Sequence, residues 1–157
     1  MSLEKAKAHL AAKGFEDRII LHEESTATVE LAAAAVGVEP GRIAKSLSFL
    51  IDGHAVVILA EGMARVDNRK FKDTFHTKAK MIPFGEVELY TGHPAGGVCP
   101  FGLKEGVDVY LDESLKKYDT VYPAAGNDHS AVRLTISELE QCADAKGWVD
   151  VCKETEA

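Results

Sequence analysis

Apolar positions recur at helical spacing from Leu3 to Lys13, where Leu3, Ala6, Leu10 and Ala11 fall near one face and Gly14 follows as a stop. Arg18 to His22 reads as a short strand. The polar, small-residue run Glu23 to Ala27 leads into an alanine-rich helix, Thr28 to Val36, which Gly37 ends before a turn at Glu39-Pro40-Gly41. At Ile43 the period changes to two. Ile43, Lys45, Leu47, Phe49 and Ile51 share one face of a strand, and Ala44, Ser46, Ser48 and Leu50 share the other. Asp52-Gly53 predicts a tight hairpin into a returning strand, Ala55 to Ala60. Asp67 is placed to cap a helix over Asn68 to Phe75, and Lys78 to Ile82 reads as a brief strand. A short helix follows over Glu86 to Tyr90, then a strand over Val107 to Leu111 and a helical turn capped by Asp112. Thr120 to Ala124 and Ser130 to Thr135 read as strands. Ser137 with Glu140 forms a capping-box pattern for a helix to Ala145, and Trp148 to Val151 closes the series. Helices and strands interleave irregularly around at least one hairpin, which predicts a mixed α/β sheet in one domain spanning 1–157.

Two places depart from this patterning. Lys45 sits among large apolar neighbours, where lysines are rare. Either its stem packs and its ammonium reaches water, or it stands at the mouth of an apolar pocket and is aimed at an anionic or carbonyl group. The second place is Thr91 to Leu103, T-G-H-P-A-G-G-V-C-P-F-G-L, whose glycines and prolines exclude a regular helix or central strand. Gly96 and Gly97 let backbone N–H groups approach a ligand closely, and Pro100 stiffens the far end. Such a loop suits an anion or oxyanion.

Composition narrows the setting. The longest apolar run, Leu31 to Val38, is far too short to span a bilayer, and Lys5 and Lys7 are not followed by a signal-peptide core. Cys99, Cys142 and Cys152 are odd in number and lack a C-x-x-C spacing, which fits reduced thiols in the cytoplasm. A net charge of −7 argues against a protein that coats nucleic acid. The charge is uneven, because Arg65, Arg69, Lys70, Lys72, Lys78 and Lys80 face only Asp67 and Asp73 in one stretch. That strip carries +4, leaving −11 for the rest. It reads either as a solvated helix face or as a grip on a short piece of phosphate backbone.

Three ordered motifs make the chain resemble the YbaK/EbsC family of prolyl-tRNA-editing deacylases. T-V-E-L-A-A-A-A-V-G-V at Thr28 to Val38 leads into R-I-A-K-S-L, which puts the family's strand lysine on Lys45. The G-x-x-x-P loop falls on Gly96 to Pro100, and the G-x-x-H element on Gly126 to His129. The resemblance implies a mixed α/β domain with a curved, barrel-like sheet surrounded by helices. It implies hydrolysis of an ester between a small amino acid (alanine, cysteine, serine or similar) and the terminal ribose of tRNA, foremost tRNA(Pro), without a metal or organic cofactor. It also implies a role in trans, with prolyl-tRNA synthetase as a possible partner and a monomer or weak homodimer as the acting form. A synthetase pocket discriminates poorly against a missing methylene, worth about 1–3 kcal/mol, so a second, narrower site corrects the error.

On this reading the expected catalytic residues are Lys45, the N–H groups of Gly96, Gly97 and Val98 as an oxyanion hole, and His129. Leu47, Pro100, Gly126 and Asp128 would shape the substrate site, and Arg69, Lys70 and Lys72 would meet the phosphates of the acceptor end. The residues leave open whether Lys45 binds the carbonyl, a ribose hydroxyl or the terminal phosphate, and whether His129 and His93 are structural. Other readings are a non-catalytic module that binds tRNA or a synthetase, and a hydrolase built on Cys99 with His129 oriented by Asp128. A zinc site from His93, Cys99 and His129 lacks the usual short-range ligand pair.

Overall fold

A computed structural model describes residues 2–153; the ends of the expected 1–157 domain, Met1 and 154–157, lie outside the described residues. Helix α1 (Ser2–Lys13) is followed by strand β1 (Ile19–Leu21), helix α2 (Val29–Val36) and the hairpin β2 (Ala44–Ile51) and β3 (His54–Glu61). Then come β4 (Arg65–Val66), α3 (Asn68–Phe75), α4 (Val87–Thr91) and β5 (Asp108–Asp112). The short strands β6 (Thr120–Val121), β7 (Ser130–Val132) and β8 (Leu134–Thr135), helix α5 (Ile136–Cys142), β9 (Gly147–Val149) and β10 (Cys152–Lys153) complete the order.

The period-two stretch and its Asp52-Gly53 turn form the hairpin as expected. Asp52 and Gly53 both take positive φ, 52° and 77°, which the twist of a two-residue hairpin requires. The main sheet runs β2-β3-β5-β9, antiparallel between β2 and β3 and parallel thereafter, so it is mixed. Every residue of β3 after His54 is buried. Val57 and Leu59 face a core shared with Leu10 and Leu139, while Val56, Ile58 and Ala60 face a second core with Phe49 and Phe71. Rings of Phe49, Phe71, Phe75 and Tyr110 step across that second core at centroid spacings of 4.9, 4.9 and 5.3 Å. They clamp α3 to the sheet by its aromatic side and leave Arg69 and Lys72 exposed.

Several expectations are corrected. The remaining strands pair as β1-β7, β4-β10 and β6-β8, so no closed barrel ladder is formed among the described residues. Lys78 to Ile82 touches β2 only through one bridge, Phe49 to Met81, with Leu50 N–H donating to Lys80 and Ile82 N–H to Ser48. The stretch Ser130 to Thr135 divides at Arg133, because its first part pairs with β1 and its second with β6. Thr28 is the N-cap of α2 rather than its first residue, and Ala11 is exposed. The capping box is Thr135 with Glu138, not Ser137 with Glu140, and α5 ends at Cys142. Glu138 also takes a forked pair of hydrogen bonds from Arg18 at 2.7 and 2.8 Å, whereas Glu140 accepts from the Trp148 indole at 2.8 Å.

Candidate functional site

Lys45 and Ser46 leave β2 on opposite faces. The Lys45 ammonium donates to the carbonyls of Gly62 (3.3 Å) and Ala64, just before β4. An ammonium has three N–H donors, so these two bonds leave one for a further partner. Burial pushes the pKa of Lys45 down, opposed by Glu61 and reinforced by nearby Arg65, so a charge held there carries a desolvation cost. The Lys45 ammonium is therefore partly desolvated and aimed at backbone carbonyls.

The glycine loop is held from both ends. Thr91 ends α4, Gly92 turns the chain at φ 88°, and Ala95–Gly97 make a single helical turn. Gly97 N–H donates to Pro94 C=O at 2.8 Å, so Gly97 is not a free oxyanion donor as expected. The N–H groups of Gly96 and Val98 have no such partner among the described residues. Gly97 serves instead for close approach. A Cβ there would lie 2.5 Å from both Cα and N of Asn127, and one on Gly96 would lie 3.3 Å from Ala27 Cβ and 3.4 Å from Asp128 Cβ. The glycine loop and the Gly126–His129 turn, far apart in sequence, thus pack backbone to backbone.

A pocket of about 110 Å³ opens beside this junction. Ala44 to Ser46 form one wall, Gly96 and Val98 another, and Thr26, Tyr122 and Ser130 supply polar groups. Thr26 and Ser130 are buried and tied to each other, Ser130 N–H donating to Thr26 Oγ1 at 3.2 Å and Thr26 Oγ1 donating to Ser130 C=O at 3.3 Å. Lys45, Gly96 and Val98 thus line one cavity. Leu47, Pro100, Gly126, Asp128 and His129 do not line it. Leu47 packs in the second core, and Pro100 and Gly126 are buried behind the loop. His129 is exposed, its Nδ1 2.7 Å from Asp128 Oδ1, which places the pair outside the cavity beside the loop. Arg69 and Lys72 line a separate groove on α3 with Lys78, and Lys70 is engaged by Asp150 (3.1 Å) and by Cys152 C=O (3.0 Å). A larger groove of about 590 Å³ between α1 and β1 gathers Leu3, Ala11, Ile19 and Leu21 with Lys7, Glu16 and Asp17 at its rim, Lys7 lying 3.7 Å from Glu16.

Residue-by-residue reading missed Thr26, Ser46, Tyr122 and Ser130. Only Ser46 carried a signal, as a hydroxyl alternating with Leu50 and Ala44 on a strand face that proves to be packed.

The cysteine-based alternatives do not assemble. Cys99 is fully buried beside His93 (Sγ to Nε2 3.7 Å) rather than His129, and His93 Nε2 also lies 2.7 Å from Phe101 C=O. Burial pushes the Cys99 thiol up to about 12 and pushes the His93 pKa down, so neither is poised for nucleophilic chemistry. No cluster of three His, Cys, Asp or Glu suited to a metal occurs among the described residues, and none of their helices is long and apolar enough to cross a membrane. At pH 8, iodoacetamide is expected to leave all three thiols of the folded protein unmodified over hours, and to label three after denaturation. Cys142 and Cys152 are likewise buried and pushed up to about 12. Rapid native labelling of Cys99, counted by mass spectrometry, would reopen the thiol reading.

Comparison with known proteins gives the family. The chain is 48% identical over 157 residues to "Uncharacterized protein YwhH" of Bacillus subtilis, covering 99% of this chain and 100% of that one. It is 29% identical to the Enterococcus faecalis protein named "Putative Cys-tRNA(Pro)/Cys-tRNA(Cys) deacylase EbsC", over 71% of this chain and 69% of that one. A solved structure titled "Crystal structure of a putative trans-editing enzyme for prolyl tRNA synthetase" superposes with a TM-score of 0.86 at 32% identity, covering 97% of both chains. The model of the aminoacyl-tRNA editing domain matches residues 23–142, a span that contains every residue lining the small pocket, and the chain belongs to that YbaK-like family.

Proposed function

We propose that this chain is a deacylase that hydrolyses the ester of a small non-cognate amino acid on tRNA, with tRNA(Pro) the foremost candidate. The observation that carries the reading is the pocket itself. At about 110 Å³ it is well below the roughly 300–1,000 Å³ of drug-sized sites, and it lies between a lysine-bearing strand and a glycine loop. That size suits an alanine, serine or cysteine side chain. Water attacks the ester carbonyl, the bond from that carbon to the ribose oxygen breaks, and the ribose hydroxyl and the amino acid are released. The N–H groups of Gly96 and Val98 hold the developing oxyanion. The remaining N–H of Lys45 binds the carbonyl, a ribose hydroxyl or the terminal phosphate. His129 and Asp128, beside the loop, help position the terminal nucleotide. The protein acts in the cytoplasm as a monomer or weak homodimer, and a prolyl-tRNA synthetase presents the tRNA.

Deacylation of a panel of mischarged tRNA(Pro) species tests this reading. Release of a small amino acid well above the spontaneous rate is expected, with proline spared; binding without turnover would instead make the chain a recognition module. The same assay tests the α3 strip. Changing Arg69 and Lys72 to Glu is expected to raise KM for tRNA and reduce the slope of log affinity against log salt by about 0.7–0.9 per lost phosphate contact. A short aminoacyl ester without the tRNA should be hydrolysed as before. Lys70 is left intact because its bonds to Asp150 and Cys152 tie α3 to β10. Equal loss with both substrates would make the strip part of the fold, and no loss with either would make it a solvated face.

A further inference from the structure

The pocket exists because two strands part company. Tyr122 N–H donates to Arg42 C=O (2.8 Å) and Ala44 N–H to Tyr122 C=O (3.2 Å), the start of a parallel ladder between β2 and the segment after β6. The next bond of such a ladder would run from Ala124 N–H to Ala44 C=O. It is not made, while on the opposite edge Pro123 offers its carbonyl to Val132 N–H at 2.7 Å. Further along, Ser48 C=O accepts from Ile82 and Leu50 N–H donates to Lys80. Ala44, Ser48 and Leu50 all direct their backbone groups away from β3, so by strand alternation Ser46 does too. The N–H and C=O of Ser46 have no partner there among the described residues. Ser46 Oγ is also buried without a hydrogen-bond partner, and Ala44, Ser46 and Ala124 all line the pocket.

A buried polar atom left unpaired is costly, and Ser46 Oγ is one beside backbone groups that edge the pocket, so a ligand that pairs with them is favoured there. From this edge we infer that Ala44 C=O, Ser46 C=O and Ser46 Oγ bind the α-ammonium of the aminoacyl group, which makes a free amino group a requirement of the substrate. The inference rests on the deacylase reading above. Its chemical basis is polarity. Two outward carbonyls and a hydroxyl oxygen match a group with several N–H donors, and the one donor among them, the Ser46 N–H, is left for an acceptor of the same substrate. The Lys45 ammonium is drawn to the other face by Gly62 and Ala64, so it does not occupy these acceptors. Gly96 and Val98 supply the donors that the neighbouring ester carbonyl needs.

The experiment compares alanyl-tRNA(Pro) with lactyl-tRNA(Pro), made by converting the amino group to a hydroxyl, and with N-acetylalanyl-tRNA(Pro). Each rate is divided by the spontaneous hydrolysis of the same ester, because an ammonium activates its own ester. The normalised kcat/KM is expected to fall about 10- to 100-fold for both derivatives, the effect of losing hydrogen bonds to a charged group. Ser46→Ala should fold normally and weaken hydrolysis of the alanyl ester more than that of the lactyl ester, whose hydroxyl keeps only one neutral donor, so the preference for the amino group narrows. Equal normalised hydrolysis of all three esters would overturn the ammonium site while leaving the deacylase reading intact. Failure to hydrolyse any aminoacyl ester would overturn both. An equal fall of Ser46→Ala on alanyl and lactyl esters would reduce Ser46 to a packing residue and overturn its assignment.

Discussion

Gly97→Ala is expected to lower deacylation about 100-fold and to lower the thermal midpoint by roughly 3–10 °C. Gly97 does not take a positive φ, so the substitution tests space rather than backbone conformation. Its new Cβ would stand 2.5 Å from two backbone atoms of Asn127 and 2.7 Å from the carbonyl carbon of Gly126. Backbone cannot rotate away as a side-chain tip can, so the glycine loop must separate from the Gly126–His129 turn. Overpacking of this kind costs about 1–3 kcal/mol, and each kcal/mol moves the midpoint of a chain this long by about 2–4 °C. The activity falls further than the stability, because a displacement of about 1 Å at a reacting centre can cost 100-fold. Gly96→Ala is the informative contrast. Its Cβ would meet only Ala27 and Asp128 side-chain atoms, at 3.3 and 3.4 Å, within its two closest contacts. The fold should hold with a smaller shift in midpoint. Parallel measurement of melting and single-turnover deacylation for the two variants decides the matter. A Gly97→Ala protein with parental melting and parental turnover would show that the two motifs need not touch.

Lys45→Ala is expected to reduce kcat by about 100- to 1,000-fold, the usual loss when one charge-stabilising donor is removed. Stability should change little, since two effects oppose. The variant escapes the cost of a half-buried ammonium, yet the Gly62 and Ala64 carbonyls lose their donor, so the net change should stay within about 1–2 kcal/mol. The pH profile adds a second readout. Lys45 is protonated below its pKa, and burial sets that value below the ordinary 10.5. Activity that needs the ammonium is therefore present on the acid side and lost as pH rises through the lowered value, earlier than for an exposed lysine. The same shift means that the folded state releases this proton before the unfolded chain does. Stability from this group thus increases as pH climbs from the lowered value towards 10.5. Turnover near the parental level in a folded Lys45→Ala protein would return the residue to packing alone.

Much of the scaffold was legible along the chain because it depends on near neighbours. The β2–β3 hairpin follows from alternation and an Asp-Gly turn whose positive φ values suit those two residues. Asp67 and Asp112 cap the following turns through their own carboxylates, which accept from N–H groups two or three residues on. Lys45 and the glycine loop stood out because each breaks the rule of its surroundings, a cation on an apolar face and a stretch unable to form regular structure. The capping box shows where local reading stops. Thr135-x-x-Glu138 and Ser137-x-x-Glu140 both satisfy the pattern, and the choice is supported by Arg18, 120 residues away, which grips Glu138, and by Trp148, which engages Glu140. The pocket lies further still beyond local rules. Thr26, Ser46, Tyr122 and Ser130 share no period or motif, and they meet because a parallel ladder ends after Tyr122 and leaves the edge of β2 at Ser46 unpaired. The commitment of Gly97 N–H to Pro94, and the placing of His129 outside the cavity, are likewise outcomes of packing between the two loops. The chain therefore specifies its elements by local period and turn chemistry, whereas tertiary structure decides which backbone groups remain unpaired and can meet a substrate.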